Sequence, residues 1–219
     1  MYNSHINNKL PLAREGLPFV AISVAFPFIF LYFGFVLLAI LAGILSLFII
    51  FFFRDPDRKT SAPEGAVLTP ADGTILEIRH LKDGNNPLGK PAVKISVFMS
   101  IFNVHVNRIP IDGTIKTVTY NPGKFFSANL DKASKYNENN RLTIETPGSL
   151  RIVVIQIAGL IAKRIECWIK EDDHVHAGQR FGLIRFGSRL ELYLSSDSQI
   201  TVQVRQKVKA GKTIIGYIS

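Results

Sequence analysis

The feature that most limits how this chain can fold is a run without a charged residue, from Leu17 to Phe53. One helix over the whole run would be roughly 55 Å long, whereas the hydrocarbon core of a bilayer is about 30 Å thick. Two short helices that enter the membrane and return fit that thickness better. Pro27 and Gly34 lie near the middle, where such a hairpin would turn. We therefore predict a helical membrane hairpin over residues 17–53, with a single tilted span as the alternative.

Basic residues flank this run on both sides: Lys9, Arg14, Arg54, Arg58 and Lys59. Segments rich in Lys and Arg remain on the cytoplasmic side of a membrane, so both flanks are predicted to be cytoplasmic. A hairpin satisfies this condition and a single span does not. The run is also too long for the apolar core of a cleaved signal peptide. We predict a cytoplasmic lead over residues 1–16 and a location at the cytoplasmic face of the cell membrane.

After Thr60 the sequence changes to short runs of β-branched and aromatic residues separated by Gly, Pro and Asn. Such runs are typical of strands bounded by turns, and the one short helix predicted here lies around residues 126–136. We predict a β-dominated fold, α+β at most, for the domain over residues 54–219.

Two internal repeats refine this prediction. The segment "PADGTI" at Pro70–Ile75 recurs as "PIDGTI" at Pro110–Ile115, and "VHAGQRFGLI" from Val175 recurs loosely as "VKAGKTIIGYI" from Val208. The second repeat has the pattern of a turn followed by a strand. It resembles the hammerhead turns of barrel-sandwich domains, so a barrel-sandwich-like arrangement is expected.

The charge and cysteine content restrict the partners. The formal net charge is +9 and is spread along the chain, which suits an anionic membrane surface or a nucleic acid. Basic runs interleaved with aromatic residues, which favour nucleic-acid binding, are not evident, so an anionic membrane surface is predicted and nucleic acid is not. The single cysteine, Cys167, excludes an intrachain disulfide and the paired-cysteine zinc sites.

A Gly-Ser step interrupts the strand-like stretch "GLIRFGSRLELYL". After it, Leu190, Leu192 and Leu194 alternate with polar residues, as in a strand. One interpretation is a bulge or tight bend at this position. The other is that the peptide bond between Gly187 and Ser188 is itself the reactive group, and the local pattern leaves both open.

The other candidates for chemistry have plain structural alternatives. Asp72 lies in an Asp-Gly pair, which favours a hairpin turn. His105 follows a strand-like run and is compatible with a structural role. His174 and His176 form an HxH pair that can bind a metal, but adjacent aspartates favour a solvated turn. The polar stretch Lys135–Arg141 receives no role. Phosphate loops, HExxH and GxSxG motifs are missing.

Six segments, in this order, carry a resemblance to a known family: "FFRDPDR", "PADGTI", "FMSIFNVHVNRIP", "NPGKF", "QIAGLIAKRI" and "RFGSR". Together with the hydrophobic N-terminal run they resemble phosphatidylserine decarboxylase proenzymes, in particular the short, archaetidylserine-decarboxylase-like form. The resemblance covers nearly the whole chain. No single segment is decisive, but their order and spacing together are specific.

In that family the proenzyme cuts itself at a Gly-Ser bond. The resemblance implies that Ser188 attacks the Gly187 carbonyl, which separates a large chain, Met1–Gly187, from a small chain, Ser188–Ser219, and leaves them associated as a heterodimer. It further implies that Ser188 becomes a covalent pyruvoyl group, which condenses with the amine of phosphatidylserine in the bilayer so that CO2 and phosphatidylethanolamine are released. Because this cofactor is built from the chain, neither pyridoxal phosphate nor a metal is implied.

The family's self-cleavage is attributed to an aspartate, a histidine and the serine. Asp72 matches the family aspartate. Longer members carry two histidines in the segment matching "FNVHVNRIP", and here the first position is His105 and the second is Arg108. Arginine does not act as a base at ordinary pH, so the resemblance leaves His105 for self-cleavage or proton delivery.

Two other classes of protein are weighed against this one. A lysostaphin-type metallopeptidase would share the HxH pair, but its HxxxD ligand pair is missing. A membrane-anchored barrel-sandwich adaptor is the non-enzymatic alternative, and the coiled-coil heptads of such adaptors are missing. The sequence does not separate an ester-linked from an ether-linked lipid substrate.

Overall fold

The computed structural model describes residues 5–128, 136–160, 164–185 and 187–218. The chain forms two compact units, Met1–Asp57 and Arg58–Ser219. The short helix predicted around residues 126–136 falls largely outside the described residues, as does Lys135.

The first unit is a helical hairpin. A short 3-10 turn over Arg14–Gly16 leads into α1 (Leu17–Tyr32), and α2 (Val36–Phe52) follows. Gly34 has a φ of +79°, a backbone conformation that glycine adopts without steric cost, and the chain reverses there. The Ala13 amide donates to the Phe53 carbonyl at 2.8 Å, so the two ends of the hairpin lie together.

Pro27 does not form the turn and lies inside α1, so this part of the prediction was wrong. Proline has no N–H, and the Ser23 carbonyl four residues earlier therefore lacks its helical donor. Ser46 of α2 supplies one, since its Oγ lies 2.7 Å from the Ser23 oxygen. The neighbouring helix thus compensates for the proline and makes it tolerable within α1.

The outer surface of this unit is apolar. By length and composition the helix over Arg14–Tyr32 is long enough to cross a membrane, and Val36–Phe52 is a shorter apolar helix. Most large apolar side chains of both helices are exposed, among them Phe28, Leu37 and Leu47. Helices that are apolar all round suit a lipid environment rather than water.

The second unit is β-dominated, which confirms the predicted fold class. Its strands are β1 (Ala66–Leu68), β2 (Gly73–Leu81), β3 (Ala92–Met99), β4 (Val106–Arg108), β5 (Gly113–Asn121), β6 (Asn139–Glu145), β7 (Arg151–Ile157), β8 (Ile165–Cys167), β9 (His174–Val175), β10 (Arg180–Ile184), β11 (Ser188–Ser195), β12 (Gln199–Ile200), β13 (Lys207–Val208) and β14 (Ile214–Tyr217). Eight of them form a curled sheet in the order β13-β2-β3-β11-β7-β6-β5-β9, and two three-stranded sheets have the orders β1-β14-β12 and β4-β10-β8.

The two sequence repeats come together as two equivalent turn units. Asp72 Oδ1 accepts a hydrogen bond from the Ala210 amide, and Asp112 Oδ1 accepts one from the Ala177 amide, both at 2.7 Å. Each aspartate of the first repeat thus holds one turn of the second repeat. The predicted hammerhead-like turns are therefore built twice, by the same interaction.

Antiparallel pairing brings several strand ends to one edge of the eight-stranded sheet. Ser188 lies opposite Met99, and Arg189 lies opposite Ile157, so β11 begins where β3 and β7 end. By the same register β2 and β6 begin there and β5 ends there. We call this the Ser188 edge, and it comprises residues 72, 99–105, 120–124, 136–139, 157–160 and 187–188.

Candidate active site

Ser188 is the first residue of β11 and follows Gly187, whose φ is +62°. Ser188 is completely buried. Its hydroxyl oxygen has no hydrogen-bond partner among the described residues. A buried polar atom without a partner costs roughly 1–3 kcal/mol, so the fold holds this hydroxyl at the Ser188 edge at the expense of stability.

The carbonyl of Gly187 packs closely against another glycine, Gly159. A Cβ built on Gly159 would lie 1.8 Å from the Gly187 carbonyl oxygen and 2.9 Å from its carbon. Only glycine leaves room for that carbonyl at the end of β7. The Ala128 Cβ lies 3.4 Å from the same position. Sequence analysis did not single out Gly159, although it lies within the segment "QIAGLIAKRI".

His105 lies at the same edge and is completely buried. Its Nδ1 is 2.9 Å from the Ile184 carbonyl oxygen, and its Nε2 is 3.1 Å from that of Ser100. A neutral imidazole donates to one of these acceptors, whereas the protonated ring donates to both. Ser100 directly follows Met99, the strand partner of Ser188. The ring therefore joins two chain segments beside the Gly-Ser bond.

Asp72 precedes β2 and is held by an arginine. Arg58 Nη1 and Nη2 contact its two carboxylate oxygens at 2.5 and 2.8 Å, and both side chains are about nine-tenths buried. Such a bidentate contact fixes the position of the carboxylate. Because β3 lies between β2 and β11, the backbones of Asp72 and Ser188 are about 10 Å apart. The contacts of Asp72 thus hold the turn at Ala210 at the Ser188 edge.

Comparison with known proteins identifies the family. The sequence model described as phosphatidylserine decarboxylase matches residues 45–216. The phosphatidylserine decarboxylase proenzyme of Syntrophus aciditrophicus is 46% identical over 209 residues, which cover 94% of this chain and 96% of the relative. Those of Geobacter metallireducens and Nitrosomonas europaea are 44% and 45% identical, covering 97% and 93% of this chain and 99% and 94% of the relatives.

The chain belongs to the phosphatidylserine decarboxylase family.

Family membership confirms the predicted resemblance and makes the protein a carboxy-lyase. It also decides against the metallopeptidase and the non-catalytic adaptor.

Arg108, to which the resemblance assigned no role as a base, has a structural place. It is buried, its Nη1 donates to the Gly178 carbonyl at 2.8 Å, and its amide donates to the Pro70 carbonyl at 2.9 Å. Its Cδ lies 3.0 Å from where a Cβ on Gly211 would be. Arg108 therefore packs between the two turn units of this decarboxylase fold.

The HxH pair lies apart from Ser188, beside the start of β5 rather than its end. Its histidines have separate partners, since His174 Nδ1 is 3.0 Å from Thr114 Oγ1 and His176 Nδ1 is 3.7 Å from Asp112. Among residues 5–128, 136–160, 164–185 and 187–218, no three His, Cys, Asp or Glu side chains are grouped to hold a metal. Burial raises the pKa of the Cys167 thiol, which keeps it protonated and unreactive.

One residue after Ser188 an internal ion-pair network begins that sequence analysis missed. Arg189 is completely buried, and its Nη2 lies 2.8 Å from Ser96 Oγ and 3.0 Å from Glu191 Oε1. Burial alone would raise the pKa of Glu77, but the cations of Lys94 and two nearby arginines hold the pKa of that carboxyl below its usual value. The network fixes β11 in the sheet immediately beyond Ser188.

Proposed function

We propose that this family member cuts its own chain between Gly187 and Ser188 and then decarboxylates phosphatidylserine with a pyruvoyl group made from Ser188. The observation that carries the proposal is the joint geometry of these residues. A buried hydroxyl without a partner among the described residues directly follows a carbonyl that fits only because residue 159 is glycine. An ordinary bend in a strand requires neither feature.

Self-cleavage starts with Ser188 Oγ as the nucleophile. Its attack on the Gly187 carbonyl carbon forms an ester as the peptide C–N bond breaks, and the hydroxyl proton passes to the freed amine of Ser188. Loss of the Ser188 α-proton then expels the Gly187 carboxylate. The dehydroalanine left at the new chain end takes up one water, releases ammonia and becomes the pyruvoyl group. Packing against Gly159 holds the attacked carbonyl in one orientation, which favours such a reaction.

In this proposal His105 carries the hydroxyl proton of Ser188 to the freed amine. To accept it, one ring nitrogen has to exchange its carbonyl partner for the Ser188 hydroxyl. The Ser100 side is the more adaptable, because that carbonyl lies in the turn after β3, whereas Ile184 is the last residue of β10 and pairs with Ile165 of β8. The proposal therefore places the required movement in this turn.

The two products remain together without a covalent bond. The small chain, Ser188–Ser219, supplies β11, which pairs with β3 on one side and β7 on the other. It also supplies β13 and β14, which pair with β2 and β1. Separating the chains would break the middle of the eight-stranded sheet, so the proposed active form is a heterodimer.

In the processed enzyme, the pyruvoyl group supplies an electron-withdrawing carbonyl that takes up the electron pair left when CO2 departs. The chain's own residues orient this end, since β11 is held by both neighbours and Arg189 is fixed by its ion pairs. The apolar hairpin and the net charge of +9 support a site of action at the cytoplasmic face of the cell membrane, where anionic phosphatidylserine is the partner.

The direct test is the mass of the purified chains under denaturing conditions. The whole chain has a mass of 24.4 kDa over 219 residues, so the segment from Ser188 should weigh about 3.6 kDa and be about 17 Da lighter than simple hydrolysis predicts, because a ketone replaces the serine amine end. A cut with no mass deficit would indicate ordinary proteolysis. A single uncut mass would contradict the proposal.

The contact between Arg58 and Asp72 gives a second prediction. We expect Asp72→Ala and Arg58→Ala to slow self-cleavage by similar factors, about 10- to 100-fold, because each leaves one buried charge unpaired and loosens the turn at Ala210. Arg58→Lys, which keeps the charge but not the two-pronged contact, should recover part of the rate. The measurement is a time course of cutting after cell-free synthesis into nanodiscs.

Thermal unfolding of the same variants separates the two roles of the aspartate. If Asp72 acts only through its contact with Arg58, the two alanine variants should show parallel losses of thermal stability and of the rate of self-cleavage. An Asp72→Ala chain that never cuts, beside an Arg58→Ala chain that cuts normally, would show that the carboxylate acts in the chemistry itself.

A further inference from the structure

Large exposed apolar side chains are unevenly distributed over the Arg58–Ser219 unit. Among its described residues there are five, and their exposures range from 48% to 63%: Phe102, Tyr120, Tyr136, Leu160 and Val204. The first four lie at the Ser188 edge. Single exposed apolar residues scattered over a surface need no explanation, whereas a group at one place marks an interaction surface.

The sheet topology explains why these residues share the edge. Phe102 lies in the turn that follows β3, and Leu160 lies just after β7. β3 and β7 are the two strands that pair with β11, so Phe102 and Leu160 flank Ser188 from both sides. Tyr136 precedes β6, and Tyr120 is the last residue but one of β5, which places both further along the same edge.

The chemistry of this set matches a membrane surface. Phenylalanine and leucine gain by leaving water, and tyrosine, with an apolar ring and a polar end, suits the level of the lipid headgroups. Exposed basic residues accompany them: Lys124 lies three residues after β5, and Arg164, which also pairs with Glu166, lies close after Leu160. Basic side chains are attracted to a bilayer that contains anionic lipid.

We propose that the Ser188 edge is the surface by which the catalytic unit docks on an anionic phospholipid bilayer, with Phe102 and Leu160 inserted among the lipids on either side of Ser188. This inference rests on the proposed function, because it assumes that the substrate headgroup enters at this edge. Docking would let the headgroup reach the site while its acyl chains stay in the membrane. Each inserted side chain should strengthen the engagement of bilayer substrate by about tenfold.

The insertion can be measured on the full-length protein with a single fluorophore. The sequence contains one tryptophan, Trp168, so Trp168→Phe gives a background into which Phe102→Trp is introduced. Reconstituted in phosphatidylcholine–phosphatidylserine vesicles with brominated acyl chains, Trp at position 102 should be strongly quenched. Val204→Trp in the same background is the matched control, because Val204 is comparably exposed but lies outside the edge, in the turn before β13 that contacts Ile75 inside β2, and it should be quenched much less. Equal quenching at both positions, or none at position 102, would overturn the docking.

Kinetics supply a second readout. A Phe102→Ser, Leu160→Ser double variant should raise KM for phosphatidylserine in vesicles by about 100-fold and leave turnover of a short-chain phosphatidylserine, dissolved below its micelle concentration, unchanged. Val204→Ser should change neither. Equal losses on both substrates would overturn the proposal.

The chain masses of the same samples keep the two proposals separate. A correctly cut chain that is not quenched at position 102 would refute the docking and leave the proposed function intact. An uncut chain that is quenched there would refute the proposed function and support the docking surface.

Discussion

Ser188→Ala is expected to leave a single 24.4 kDa chain, uncut and without measurable decarboxylase activity. Alanine has no nucleophile to attack the Gly187 carbonyl and no hydroxyl from which the pyruvoyl group can be made. Ser196→Ala, which removes an exposed hydroxyl just beyond β11, is the matched control and should be cut and active. The measurement is the mass of the chains together with release of CO2 from phosphatidylserine in nanodiscs.

The stability of this variant makes the result informative. Since the Ser188 hydroxyl is buried without a partner among the described residues, its removal eliminates an unfavourable burial of about 1–3 kcal/mol. The variant should therefore unfold at a temperature no lower than that of the uncut chain that retains Ser188. A normally processed Ser188→Ala chain would refute the assignment. An unfolded one would show that the hydroxyl is structural after all.

Gly159→Ala is expected to slow self-cleavage by about 100-fold or more. The new Cβ would lie 1.8 Å from the Gly187 carbonyl oxygen, so the carbonyl has to move by about 1 Å, and a displacement of this size at a reacting group can cost about 100-fold in rate. The rate would be followed by the time course of cutting after cell-free synthesis into nanodiscs.

Two other glycines serve as controls for this experiment. A Cβ on Gly216 would lie 2.4 Å from the Gln199 carbonyl oxygen, a comparable clash away from the Ser188 edge, whereas a Cβ on Gly148 would meet nothing closer than 3.9 Å. Gly216→Ala should lower stability but not the rate of cutting by the same factor, and Gly148→Ala should change neither. Equal slowing by Gly159→Ala and Gly216→Ala would mean that general destabilisation, and not the position of the Gly187 carbonyl, determines the rate of self-cleavage.

The fold class was predictable because it depends on local pattern. The uncharged run was too long for one straight helix, and Gly34 provides the reversal. The prediction failed at Pro27, because the residue that compensates for it, Ser46, lies on the other helix. Periodicity identifies an element, but not the neighbour that supplies a missing hydrogen-bond donor.

The site was predictable only in part, for the same physical reason. The Gly-Ser pair is visible in the sequence, whereas the importance of Gly159, just after β7, depends on the carbonyl of Gly187, just before β11. The ion pair between Arg189 and Glu77 at 3.4 Å likewise joins distant parts of the chain. Asp72 and Asp112 look alike in the sequence, and only the fold shows that Arg58 contacts the first of them.

The duplicated turn units also determine what the proposed cut would separate. The unit held by Asp112 and Ala177 would lie entirely within the large chain, whereas the contact between Asp72 and Ala210 would cross from the large chain to the small one. The same hydrogen bond would thus be intramolecular in one turn unit and would connect two polypeptides in the other. The processed enzyme would then need no separate dimerisation surface, because the turn at Ala210 on the small chain already binds Asp72 on the large chain.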